Sequence, residues 1–158
     1  MLSHIDKKGN AKIVDISSKE ISSRIAKASG KIKISEDALK QINLNSLKKG
    51  DIYTVSKIAA IFAAKNTSNI IPLCHPVKIE DITITFNTNI EEKFIEAEAQ
   101  VKSSDKTGLE MEALTAVSIA LLTIYDMVKA VDKAMVIFDI KLISKTGGKS
   151  DYHSNDSI

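Results

Sequence analysis

The stretch Ile79–Lys102, IEDITITFNTNIEEKFIEAEAQVK, decides the fold class of this chain. Apolar and polar residues alternate from Ile82 to Phe86, and they alternate again from Ile95 to Val101. A period of two residues predicts a β-strand with one buried face. Because the polar segment TNIEEK joins the two runs, we predict a hairpin of antiparallel strands with one face open to water.

Two further strands and three helices follow from the same kind of pattern. The even positions of Arg24–Ile34 are mostly apolar, and the segment Val136–Leu142 alternates with its even positions, including Phe138, expected on the core face. Ser35 is a good N-cap for the short helix EDALKQIN. An alanine-rich helix covers TVSKIAAIFAAKNTS, and the longest helix runs from about Gly108 to Lys133.

The order of these elements predicts the architecture. Apart from the extra short helix, it is the β-α-β-β-α-β order of the ferredoxin-like fold. We therefore expect an α+β domain with an antiparallel sheet and helices packed on one face. One domain should span residues 1–158, with flexible polar ends at residues 1–10 and 151–158.

Composition narrows the classes of function. The chain has 22 basic and 20 acidic residues and a formal net charge of +2, so it is not a polybasic nucleic-acid binder. One cysteine excludes a disulfide within the chain. The start MLSHIDKKGN has no apolar signal region, and no apolar run approaches about 18 residues. These features predict a cytoplasmic protein without a membrane segment.

The only cysteine stands beside a histidine in NIIPLCHPVKIED. Pro72 and Pro76 favour extended backbone, in which Cys74 and His75 point to opposite faces. A nucleophilic cysteine needs a base in hydrogen-bond reach, and a structural zinc site needs more Cys and His ligands than this stretch supplies. We interpret Cys74 as a buried turn residue. His75 can be structural, or it can serve acid–base chemistry or bind phosphate.

The longest helix carries the other candidate residues. Thr107 and Glu110 have the spacing of a capping box. A stripe at helical spacing predicts the core face, and it consists of Leu114, Val117, Leu121, Ile124 and Val128.

A second strip of this helix lies opposite the core face. It runs from Glu112 to Asp126, has only Thr115, Ile119 and Thr123 between these carboxylates, and ends near Lys129, one turn beyond Asp126. Spacing alone leaves two readings open. The strip is either a solvated face with an ordinary ion pair, or a surface that another subunit or a ligand covers.

Lysines also flank two glycine-containing segments that interrupt the periodic pattern of the sequence. The tail KTGGKS contains G-K-S but lacks the first glycine and the following helix of a P-loop. Lys145 and Lys149 can still wrap an anion, although a flexible tail explains them equally well. KKGD, from Lys48 to Asp51, reads as a turn. Lysines, one histidine and several carboxylates near these segments favour acid–base chemistry on an anionic substrate.

Taken together, six segments resemble one family in order and spacing. They are SHIDKKGNAKIVDIS, KKGD, IPLCHP, KTGLEMEALTA, LTIYDMVKA and KTGGKS, and they extend from about Ser3 to Ser150. In this combination they are similar to the MoaC family of molybdenum-cofactor biosynthesis.

The resemblance implies a ferredoxin-like subunit that assembles as a homohexamer, a trimer of dimers, with active sites at the dimer interface. It implies a lyase that acts on a nucleotide triphosphate, a cyclised dihydro-GTP. The purine is rebuilt into a pterin with a fused pyran ring, the α-phosphate closes into a cyclic phosphate, and pyrophosphate leaves. No metal or organic cofactor is implied.

The resemblance also assigns roles to individual residues. It implies that the catalytic residues are Asp126, Lys129, Lys49 and His75. It implies that the substrate-binding residues are Leu73, Cys74, His75, Glu110, Met111, Glu112 and Lys145. The competing reading is a non-enzymatic ligand-binding module on the same fold, since fold does not fix function.

Overall fold

The computed structural model describes residues 4–6, 8–44 and 50–154. Its elements in chain order are β1 (Ser22–Lys33), α1 (Glu36–Asn43), α2 (Ile52–Lys65), α3 (Thr67–Ile70), β2 (Asp81–Asn89), β3 (Phe94–Asp105), α4 (Glu110–Val128), β4 (Val136–Thr146) and β5 (Tyr152–His153).

The five strands form one antiparallel sheet in the order β2-β3-β1-β4-β5. The first four strands have the ferredoxin-like order, so the predicted α+β class is confirmed. The predicted hairpin pairs Ile82 with Val101, and Ile95 pairs with Ile32 of β1 on its other side. Alternation along β3 is strict, because Ile95 and Val101 are fully buried while the residues between the apolar positions are partly exposed.

Helices cover one face of the sheet, as expected. α4 packs across β1, β3 and β4, and α2 packs against α4. A Cβ atom at Gly30 of β1 would lie 2.9 Å from side-chain atoms of Val117, Leu121 and Ile140. Gly30 therefore lets α4 approach the middle of the sheet closely, which fixes the position of the helix on it.

The short helix α1 begins and ends where the sequence predicts. The Ser35 hydroxyl accepts a hydrogen bond from the Ala38 amide at 3.3 Å, which satisfies one of the free donors of the first turn. Ala38, Leu39 and Ile42 are buried in the main core.

The predicted phase of β4 is wrong in its first part. Val136 and Phe138 are exposed at 55% and 39%, whereas Ile137 packs on the core. A β-bulge causes the shift, because β1 advances two residues from Ser29 to Lys31 while β4 advances three, from Lys141 to Phe138. A second extra residue lies opposite Lys27 and Ala28, beyond Leu142. Each extra residue moves the following side chains to the other face, and the sequence alternation cannot show it.

α4 is long and apolar enough to cross a membrane by length and composition alone. Half of that stretch is buried inside the protein, and helices of a protein core pass the same test of length and composition. Its fully buried side chains include Val117, Leu121, Ile124 and Val128, so the predicted core stripe is confirmed at these four positions.

Candidate active site

Two adjoining cavities lie beside the N-terminal end of α4. The first, of about 360 Å³, has charged lining residues Lys19, Arg24, Glu110, Lys145 and Lys149, and we call it the cationic cavity. The second, of about 480 Å³, is lined by Ile71, Leu73, Cys74 and Met111, and we call it the thiol cavity. His4, His75, Thr107, Gly108 and Glu110 line both. The two cavities therefore form one continuous candidate site.

Sheet and loop geometry hold the basic side chains in place. Arg24 stands near the start of β1, where its Nε donates a hydrogen bond to the Asp105 carbonyl at 2.7 Å. Lys145 stands near the end of β4, opposite Ala26 of β1. Gly147 follows with a φ of +83°, and a Cβ there would collide with the Ser23 carbonyl. The glycine lets the KTGGKS segment turn tightly beside β1, which brings Lys149 to the same cavity.

Glu110 opens α4 but does not cap it. Its Oε1 lies 2.7 Å from Nζ of Lys145, across the wall of the cationic cavity. The N-cap residue is Leu109, and no side chain caps the helix there, so the predicted capping box of Thr107 and Glu110 is wrong. A long-range ion pair has replaced the local contact that spacing suggests.

Cys74 lies in the loop between α3 and β2 and is half-buried. Its thiol donates toward Oε1 of Glu112 at 3.7 Å. Burial, followed by the nearby carboxylates of Glu112 and Glu110, raises the pKa of Cys74 to about 11. The residue is thus a neutral thiol near pH 7, which supports the interpretation that it is not a nucleophile.

Glu112 is only 2% exposed, although it lies on the side of α4 that spacing placed opposite the core. Burial raises the pKa of its carboxyl group above the usual range. Its Oε2 has no hydrogen-bond partner among the described residues. At this end the strip is covered by the protein itself and not solvated, and it ends in a carboxyl group whose pKa is raised by burial.

The other end of α4 is different. Asp126 and Lys129 form an ion pair of 2.7 Å, and their side chains are 57% and 54% exposed. Asp126 is 16 residues after Glu110, which places it about 24 Å along the helix at 1.5 Å per residue. One chain therefore does not bring this pair to the two cavities.

The structure gathers most of the remaining predicted residues. Leu73, Cys74, His75, Glu110, Met111 and Lys145 line one or both cavities, and Glu112 touches Cys74. Lys49 lies outside the described residues.

Sequence reasoning missed several lining residues, among them His4, Lys19, Arg24, Thr107 and Gly108. Lys19 and Arg24 lie in or near a strand whose alternation was read only for its apolar face. His4 belongs to a small hairpin in which the Lys12 amide donates to the His4 carbonyl at 2.9 Å. Only the resemblance of SHIDKKGNAKIVDIS to a known family marked this segment.

Among residues 4–6, 8–44 and 50–154, no group of three or more His, Cys, Asp or Glu side chains could hold a metal ion. The charged groups that the cavities present are mainly ammonium and guanidinium groups. Such groups bind phosphate through charge-assisted hydrogen bonds, with lysine as a point charge and arginine as a planar fork.

Comparisons with known proteins agree with this chemistry. The model of the MoaC family matches residues 13–148. A cyclic pyranopterin monophosphate synthase of Desulfitobacterium hafniense is 50% identical over 151 residues, which is 96% of this chain and 92% of that protein. One of Clostridium perfringens strain SM101 is 53% identical over 149 residues, 94% of each chain. Molybdenum cofactor biosynthesis protein moc-5 of Caenorhabditis elegans is 47% identical over 96% of this chain and 25% of that protein.

Proposed function

Since the chain belongs to the MoaC family, we propose that it is a cyclic pyranopterin monophosphate synthase, a lyase of molybdenum-cofactor biosynthesis. Its substrate is the cyclised dihydro-GTP, and its products are the cyclic pyranopterin monophosphate and pyrophosphate. The observation that carries the proposal is the cationic cavity, which joins a less charged cavity through His75. A triphosphate attached to a ring system needs both kinds of surface.

The cationic cavity is the place for the triphosphate. Lys19, Arg24, Lys145 and Lys149 come from different parts of the chain and meet there. A triphosphate carries several negative charges, which ammonium and guanidinium groups neutralise by short hydrogen bonds. The purine-derived ring then lies in the thiol cavity, against Leu73, Cys74 and Met111.

Formation of the cyclic phosphate needs charge stabilisation and proton transfer. A ribose hydroxyl attacks the α-phosphorus, loses its proton, and pyrophosphate leaves with the bonding electron pair. Preorganised cations such as Lys145 and Arg24 stabilise the developing negative charge on the phosphate oxygens. His75, on the wall shared by both cavities, is positioned to move protons between the ring and the phosphate side. Lys49 belongs to the same proposed set.

A second subunit completes the site in this proposal. Asp126 and Lys129 lie too far along α4 to reach the cavities of their own chain, so they act in the site of a neighbouring chain. The uncharged strip of Thr115, Ile119 and Thr123 leads to this pair and suits a subunit contact. We propose a homohexamer, a trimer of dimers, with the sites at the dimer interface. We also propose a cytoplasmic location, where nucleotide-derived substrates are available.

Incubation of the purified protein with the cyclised nucleotide tests the activity. We expect a pterin product and one equivalent of pyrophosphate for each turnover. A ligand-binding module would hold the nucleotide and release neither product. Tight binding without release of pyrophosphate would therefore contradict the proposal and favour the module.

A further inference from the structure

The ion pair of Glu110 and Lys145 lies in the wall of the cationic cavity. Lys145 Nζ lies 2.7 Å from Glu110 Oε1, and the two side chains are 27% and 36% exposed for Glu110 and Lys145. Both residues line the cavity. The ammonium group that the proposed function assigns to a phosphate is therefore already held by a carboxylate of the same chain.

The backbone before α4 is shaped for this contact. A Cβ atom at Gly108 would collide with the Glu110 carboxylate. Glycine at position 108 leaves room for the Glu110 carboxylate in this position, and a larger residue would require the carboxylate to shift. The absence of a side chain at Gly108 is therefore compatible with the carboxylate position that places Oε1 beside Lys145.

Charge balance singles out Glu110 within this cavity. The described residues that line it include four permanent cations, Lys19, Arg24, Lys145 and Lys149, and Glu110 is the only carboxylate among them. A carboxylate oxygen and a phosphate oxygen are alternative acceptors for the same ammonium donor. A partly exposed ion pair of this kind is weak, so a phosphate can displace the carboxylate at low cost.

We infer that Glu110 is a positioning residue that holds Lys145 as an internal counter-ion and yields it to a phosphate of the substrate. The inference rests on the proposed function, because it assumes that the cavity binds phosphate. The ion pair with Glu110 holds the Lys145 ammonium group at the cavity wall. On binding, a phosphate oxygen takes the place of Oε1, and no covalent bond changes. Glu110 thereby lowers the affinity for the anion while it keeps the lysine in position.

Binding of inorganic tripolyphosphate, measured by titration calorimetry, tests the inference. Glu110→Gln removes the competing charge and should lower the Kd by about fivefold, the size expected for a partly exposed ion pair. Glu110→Asp keeps the charge and should not tighten binding. In the background of Lys145→Ala, Glu110→Gln should have no further effect, because Glu110 acts through that lysine. A purely structural role of Glu110 would not produce this dependence on Lys145.

Glu98→Gln is the matched control, since it breaks an ion pair of 2.8 Å with Lys27 on the sheet and changes the net charge equally. It should leave tripolyphosphate binding unchanged. Unchanged or weaker binding by Glu110→Gln would overturn the inference, as would tightening that persists without Lys145. If the wild type does not bind tripolyphosphate, or Lys145→Ala binds it as well as the wild type, the proposed phosphate site itself is wrong.

Discussion

The two ends of α4 carry the same chemical groups in opposite settings. At the first turn, Glu112 is buried and Glu110 pairs with a lysine from a distant strand. At the last turn, Asp126 pairs with Lys129 of the same helix in full contact with water. The first arrangement is complete within one chain, because loop and sheet enclose it. The second becomes a site only when another surface covers it, so the comparison predicts that catalysis depends on assembly.

Removal of the exposed pair should have the largest effect on activity. Asp126→Asn and Lys129→Ala should each fold and bind the nucleotide, yet lose turnover by about a hundredfold to ten-thousandfold, the range for positioned acid–base groups. The double variant should be little worse than the poorer single variant, because groups that act as a unit are not additive. If either single variant forms the pterin at nearly the wild-type rate, the pair is a surface ion pair without a catalytic role.

Mixed assemblies show whether the two ends meet across subunits. Asp126→Asn and His75→Ala chains should each be nearly inactive alone, since both residues are proposed to take part in the chemistry. When they are unfolded and refolded together, roughly a quarter of the wild-type activity should return, because half of randomly paired dimers are mixed and each holds one intact site. No recovery, despite mixed dimers seen by native mass spectrometry, would place both residues in the site of one chain.

Removal of the cavity lysine should have the next largest effect. Lys145→Ala should weaken binding of a nucleotide analogue by about tenfold, which corresponds to one lost hydrogen bond between charged groups. Lys27→Ala, on the sheet away from both cavities, is the control. The measurement is equilibrium binding of a substrate analogue that does not turn over. Equal affinity of both variants for this analogue would show that Lys145 does not belong to the phosphate site.

Neutralisation of the buried carboxyl group should change stability, not turnover chemistry. The folded-state pKa of Glu112 is raised above its unfolded value, so its favourable contribution is complete below the unfolded pKa and is lost as pH rises through the folded pKa. Glu112→Gln should therefore be more stable than the wild type at pH 7 and unfold at a higher temperature, because the amide has no charge to desolvate. The difference should vanish near pH 4. Thermal melts across this range measure it, and an equal gap at both pH values would contradict the assignment.

The smallest effect is expected at Cys74. Cys74→Ala should retain turnover within about twofold, since a neutral thiol contributes neither a nucleophile nor a base. Alkylation of the wild type by iodoacetamide should accelerate about tenfold per pH unit until the pH approaches the thiol pKa of about 11. Rapid alkylation at neutral pH, or a covalent substrate adduct in mass spectra, would show that burial does not suppress the reactivity of the Cys74 thiol.

Local patterns predicted the parts of the fold that local forces determine. Ser35 and the strict alternation of β3 are examples, because a cap and a half-buried strand need only neighbours in sequence. The phase of β4 failed at Phe138, since bulges arise from pairing with a distant strand. The capping box failed because Lys145, 35 residues away, takes the Glu110 carboxylate.

The residues of the candidate site were harder to predict from sequence patterns than the helices and strands of the fold. Leu73, His75 and Met111 were identified by resemblance to a family, since periodicity alone left their roles open. Lys19 and Arg24 were missed because neither lies in a recognisable motif of its own. The predicted helix already implied that Asp126 lies far from Glu110, but the sequence did not show that both cavities lie at the Glu110 end.

The bulges of β4 also bear on solubility. β5 and Ser154 bond β4 only from Ile143 onward, so Val136–Leu142 has no strand partner on that edge among the described residues. A regular edge with exposed Val136 and Phe138 would be a template for strands of other molecules. An extra residue near Asp139 interrupts the regular spacing of the backbone amide and carbonyl groups along this edge, and Lys141 adds charge. The β-bulge that the sequence pattern could not predict thus disfavours pairing of this sheet edge with strands of other molecules.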